Sequence, residues 1–266
     1  MPRFRLNPVV TLCLWFLAAF ALIGTGPMFV PAAGSTVTPA ALLWKAFAAS
    51  IALAASLLFL RERDASLLGL KPNRRGAGLS LLAVLTGLLL VGLWLAVFRL
   101  LVPFRLMPGA ITGPELLCSA IIYLFGALLE ELAFRGHALI RLRERYGTVA
   151  AILLVSLAFG LLHLPGMTGV NAIKIVALTG LCSVLFCLAY LISGSLWAAV
   201  GLHAGMNFML HSVLGAGGGR GPSLFAPHFA QSPPTYDVAF WSFMVVQFAV
   251  AVGFLLVGRR LRSFPR

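Results

Sequence analysis

Between Glu115 and Ala138 the chain reads ELLCSAIIYLFGALLEELAFRGHA, and past Glu115 the only formally charged side chains in that stretch are Glu130, Glu131 and Arg135. A helix of about twenty apolar residues, rising about 1.5 Å per residue, crosses a hydrocarbon core of about 30 Å. The stretch therefore reads as a membrane span with two adjacent carboxylates and a guanidinium inside it. Similar apolar runs lie on either side, near residues 9–30, 38–60, 77–98, 148–165, 172–193, 195–215 and 238–258. The expected fold is an all-α membrane protein, a polytopic bundle of about eight transmembrane helices with its active site inside the bilayer. One membrane domain covers residues 1–266, with a motif-bearing core at about 115–211.

Composition agrees with that reading. Of the 266 residues, 61% are hydrophobic and 10% charged, which excludes an ordinary soluble domain. Twenty basic residues against seven acidic ones give a net charge of +13, which in a soluble protein would suggest nucleic acid. Here the basic residues fall between the apolar runs: Arg3 and Arg5, then Arg61 to Arg75, then Arg141, Arg143 and Arg145, then Arg259 to Arg266. If the spans alternate, these share one side, and only Arg99, Arg105 and Arg220 fall on the other. The asymmetry puts both termini in the cytoplasm and leaves no role for nucleic acid. A bacterial inner membrane is the expected location. The first span resembles a secretion signal, with Pro31-Ala32-Ala33-Gly34 as a cleavage-like site, but an uncleaved first span has the same pattern. The four cysteines sit inside apolar runs and read as small packing residues. Gly215 to Asp237, with its glycine cluster, reads as a flexible outer loop.

Ionisable groups left inside the spans need a partner or a function, because a charge at membrane depth costs about 2.5 to 3.5 kcal/mol on insertion scales. Lys45 and Lys174 fall near span ends and are expected to snorkel. Glu131 and Arg135 are four residues apart on a helix, in the favourable order for an ion pair. Glu130 points about 100° away and is left as the carboxylate without a local partner, suited to take a proton from water. His163, at the end of Phe159-Gly160-Leu161-Leu162-His163, gains its case from company. His203 and Asn207 lie on one helix face and can offer two donors to a single developing oxyanion. Gly205 beside them leaves room for a backbone or a substrate. His137, His211 and His228 read as structural.

Taken together, EExxxR at Glu130 to Arg135, FxxxH at Phe159 to His163 and HxxxN at His203 to Asn207 resemble the CPBP family of intramembrane proteases. That family, also called Abi, includes the type II CAAX prenyl endopeptidases. The resemblance covers about Glu115 to His211. It implies an endopeptidase acting on a membrane-embedded or C-terminally lipidated peptide. Glu130 with His163 would activate water, His203 with Asn207 would form the oxyanion hole, and Glu131 and Arg135 would support them. No cofactor is then expected. The alternatives are a zinc enzyme with Glu130, His163 and His203 as ligands, a proton-coupled transporter, and a non-catalytic membrane scaffold. Asn207 is a poor zinc ligand, and no paired broken helices suggest a transporter.

Overall fold

The computed structural model describes residues 8–24, 38–60, 68–70, 73–165, 168–216, 222–228 and 233–260. The cleavage-like Pro31 to Gly34, residues 61–67 and Lys71 of the basic segment, the glycines 217–219, and Arg3, Arg5, Arg220, Arg262 and Arg266 lie outside the described residues.

Each apolar run of the sequence becomes a helix: α1 (Pro8–Gly24), α2 (Pro39–Leu60), α3 (Arg74–Leu101), α4 (Gly113–Glu131), α5 (Leu139–Leu162), α6 (Gly169–Ser193), α7 (Leu196–Asn207) and α8 (Pro233–Arg260). The chain is an all-α integral membrane protein. Among the described residues four stretches are long and apolar enough to cross a bilayer: Arg74–Leu101, Gly113–Leu162, Gly169–Ser193 and Thr235–Arg260. The ends are set locally. Asn73 caps α3 by accepting from the Gly76 amide at 2.7 Å, and at the start of α4 the Glu115 carboxylate accepts the Thr112 amide at 2.8 Å.

The runs at 115–138 and 148–165 are two helical stretches parted at Gly147, whose φ of 81° is open to glycine. The chain turns back there, so that Phe134 and Phe159 meet at 5.1 Å between ring centres. Two features depart from the sequence reading. In the first stretch the backbone widens into a π-helical turn over Leu132–Ala138, directly after the two glutamates. A second π turn, Phe208–Val213, follows Asn207 directly. The other departure is a short antiparallel ribbon. Arg105–Pro108 (β1) pairs with Phe225–His228 (β2), Arg105 opposite His228 and Pro108 opposite Phe225. The stretch from Gly215 to Asp237 is thus partly pinned: the Leu224 amide also donates to the Ser212 carbonyl at 2.8 Å, tying the ribbon to the second π turn.

The motif helix α7 is the centre of the packing. It lies against α3, α4 and α6, and from Ala198 to Met206 every residue is buried. Such a helix cannot be amphipathic, and its sequence is apolar all round apart from His203. Close approach of α3 to α7 depends on glycine. A β-carbon on Gly205 would collide with the Val84 carbonyl, and one on Gly87 would stand 2.8 Å from the Met206 amide nitrogen. The room that Gly205 leaves is therefore filled by the backbone of α3. The backbone approach that small residues permit is a common source of helix association in lipid.

Candidate active site

The two glutamates at the end of α4 part company as the helix geometry requires. Glu131 turns inward and is fully buried. Arg135 Nη1 donates to Glu131 Oε1 at 3.3 Å, and His203 Nδ1 donates to the same oxygen at 2.9 Å. Arg135 is buried too. Its Nη2 donates to the Ser183 carbonyl at 2.9 Å and to the Ser183 hydroxyl. Its guanidinium lies 4.9 Å from the ring centre of Phe159 and 5.3 Å from that of Phe186, within cation–π range. The result is a dry chain His203–Glu131–Arg135–Ser183 joining α7, α4, the first π turn and α6.

Glu130 faces the other way. Its side chain retains 15% exposure, and its Oε2 lies 3.8 Å from His203 Nε2. The positive or protonatable groups that act on it are His203, His163, Lys45 and Arg135. His203 is thereby held between two carboxylates, with its Nδ1 proton given to Glu131 and Nε2 turned toward Glu130. Its ring stacks on Phe186 at 4.5 Å between centres. This fixes the plane of the imidazole, and with Nδ1–H on Glu131 only the doubly protonated ring carries a donor at Nε2.

His163 closes α5 as its C-cap. Nδ1 donates to the Phe159 carbonyl at 2.9 Å, a bond that needs the proton on Nδ1 because a carbonyl only accepts. Nε2 is left as the nitrogen free to accept. Phe159, the aromatic of FxxxH, is buried among the other parties. Its ring touches His163 at 5.0 Å, His203 at 5.9 Å edge-on, and the Arg135 guanidinium. An apolar wall at that position keeps the Arg135 side dry while leaving His163 on the margin.

Asn207 is the last residue of α7, one turn beyond His203 and half-buried, and among the described residues its side-chain amide makes no hydrogen bond. Glu130, His163 and His203 thus lie near one another, with Asn207 one helical turn beyond His203, while Glu131 and Arg135 are buried behind them.

The segment that carries these residues matches a known family. Residues 112–209 fit the family model for type II CAAX prenyl endopeptidase Rce1-like proteins. Over that segment the chain is similar to that family. The match starts at the cap of α4 and ends just past Asn207, so it encloses all three motifs. No curated protein sequence matches the chain.

Among the described residues no three His, Cys, Asp or Glu side chains form a group that could hold a metal ion. His203 has one ring nitrogen bound to Glu131, and its other nitrogen faces Glu130.

Several supporting residues were not visible in the sequence. Ser183 reads as one small polar residue in an apolar run, and only the packing of α6 on α5 aims it at Arg135. Trp15 of α1 donates its indole N–H to the Ala133 carbonyl at 2.6 Å, and Ser56 of α2 donates to the Leu132 carbonyl at 3.3 Å. Both acceptors lie in the π turn. A signal did exist in the form of a Trp and a Ser inside apolar runs, but their target depends on a helix geometry that periodicity does not reveal. The three histidines read as structural divide: His137 packs on Trp15 and His211 stacks on Tyr123, while His228 falls on β2. Lys174 pairs with Asp237 of α8 rather than simply snorkelling.

Proposed function

We propose that this chain is an intramembrane endopeptidase of the CAAX-protease type in which Glu130 and His163 activate water and His203 and Asn207 receive the oxyanion. The observation that supports it best is the pairing of Glu130 with a histidine whose other nitrogen is already locked by Glu131. That arrangement leaves Glu130 free to take a proton while His203 keeps a fixed direction. In the proposed reaction Glu130, with His163 Nε2 accepting alongside it, removes a proton from water as the oxygen attacks the peptide carbonyl. The negative oxygen that develops accepts hydrogen bonds from His203 Nε2–H and from the Asn207 amide. Collapse of the tetrahedral intermediate breaks the C–N bond, and the proton held by Glu130 passes to the departing amine. No metal has a part in these steps.

The substrate is a membrane-embedded or C-terminally lipidated peptide, as the family description suggests. We place the site within the bilayer, in one membrane domain of about eight spans with both termini in the cytoplasm of a bacterial cell. The basic segments of the sequence support that orientation.

The test is a cleavage assay of the purified protein in detergent or liposomes, using fluorescent peptides with a prenylated cysteine four residues from the end alongside non-prenylated transmembrane peptides. New termini released by wild type are expected. Absence of cleavage of every peptide by well-folded protein would overturn the reading.

A further inference from the structure

Lys45 of α2 is half-buried, and it lies across Gly126 of α4. Its Cδ, Cε and Nζ stand 3.7, 3.7 and 3.8 Å from where a β-carbon on Gly126 would be. Gly126 is buried and has no side chain, so the end of the Lys45 stem packs over the notch it leaves, with the ammonium at the edge of that notch. Glu130 follows Gly126 by four residues on the same face, about 6 Å along the helix. The Lys45 charge acts on Glu130, yet among the described residues its ammonium has no carboxylate within 4 Å. Of the two permanent cations near Glu130, Arg135 is committed to Glu131 and Ser183. Lys45 alone is left with unmade bonds.

A half-buried ammonium is costly without an anion. It makes no direct ion pair with Glu130, so a carboxylate brought in by a substrate would meet an uncommitted donor. An extended peptide advances about 3.3 to 3.6 Å per residue. A substrate whose scissile carbonyl sits at Glu130 would therefore bring a group about two residues away to the notch.

We propose that Lys45 is a specificity-determining residue that binds a carboxylate of the peptide substrate in the Gly126 notch, supplied by the peptide's own C-terminus or by an acidic side chain close to the cleaved bond. The proposal rests on the protease reading above. It adds a charge requirement that the motifs do not contain: they supply water activation and an oxyanion hole, while Lys45 selects which bond arrives there.

The experiment compares matched prenylated peptides that differ only in a free C-terminal carboxylate or a C-terminal amide. A second pair, both amidated, carries Asp or Asn just after the scissile bond. Wild type should favour the carboxylate in one of the two pairs by about tenfold to a hundredfold in kcat/KM, the range of one hydrogen bond to a charged group. The pair that shows the preference identifies the source. In Lys45→Met that ratio should fall to about one, and Lys45→Arg should restore part of it. A ratio near one in both pairs for wild type, or a ratio that survives in Lys45→Met, overturns the proposal. Equal losses on acid and amide count in the second class, since they mean that Lys45 acts only through the charge of Glu130. If wild type cleaves no peptide, the protease reading fails instead. The same ratios measured as binding of the fluorescent peptides to wild type and to Lys45→Met then decide the role of Lys45 independently.

Discussion

His203 divides the site into two unlike halves. Behind it, Glu131, Arg135 and Ser183 are all fully buried and tied to one another. In front of it, Glu130 keeps partial exposure and Asn207 makes no side-chain hydrogen bond among the described residues. Both halves are built from the same residue types, a carboxylate and polar nitrogen groups. They differ in exposure and in how firmly they are tied. The rear network is buried and bonded across several helices, although Glu131 Oε2 and Arg135 Nε stay unbonded within it, whereas the front is partly exposed. Adjacent glutamates in sequence thus end in different halves because a helix turns about 100° between them.

That contrast is tested most severely at Glu130. Glu130→Gln keeps shape and removes the base, so turnover should fall by about 10²- to 10⁴-fold, with the unfolding midpoint in detergent close to wild type. A large loss of stability would mean that the front half is structural as well. Next, His203→Ala and Asn207→Ala should each lower kcat by about a hundredfold to a thousandfold, the cost of one oxyanion donor. Asn207→Ala should leave stability nearly unchanged, since no described group depends on its amide.

Behind His203 the expected effects are on folding. Glu131→Gln strands the buried Arg135 charge and should cost about 3 to 5 kcal/mol in reversible unfolding. Ser183→Ala removes one bond to a charged donor and should cost about 1.5 to 3 kcal/mol. Activity of Glu131→Gln should be low but measurable, and a loss as complete as that of Glu130→Gln would erase the distinction between the halves. The smallest expected effect is that of a strong zinc chelator, which should leave cleavage nearly intact. Zinc that co-purifies at one equivalent and whose removal and return switch activity off and on would replace the proposed mechanism by a metal-bound water.

Much of the fold was legible because lipid imposes a simple rule: backbone groups must pair within a helix, so apolar runs become helices. The boundaries of α2, Pro39–Leu60, and of α6, Gly169–Ser193, fall within a few residues of the apolar runs. The ion pair between Glu131 and Arg135 was legible for the same reason, as a four-residue spacing on a helix. What was not legible depends on distant partners. Nothing near Lys45 in the chain indicates Gly126, and nothing near Ser183 indicates Arg135. The ribbon was missed because β1 and β2 are each four residues, too short for an alternating pattern. Gly147 sits in a basic stretch between two apolar runs, and that a single residue turns the chain there is a detail composition does not carry.

The π turn over Leu132–Ala138 has a consequence for how length variation in this chain should be understood. A widened turn holds one residue more than an α-helix would over the same height, and it releases carbonyl oxygens that Trp15 and Ser56 engage at Ala133 and Leu132. Deleting a single residue there would let the backbone relax into a regular spiral, with better local bonding. Everything downstream would then be rotated by about 100° and raised by about 1.5 Å. Arg135 or the whole of α5 would lose its bearing on α4, and two donors from the first two helices would lose their acceptors. A one-residue gap in this window is therefore a change of phase, more damaging than removing residues from the exposed start of α4.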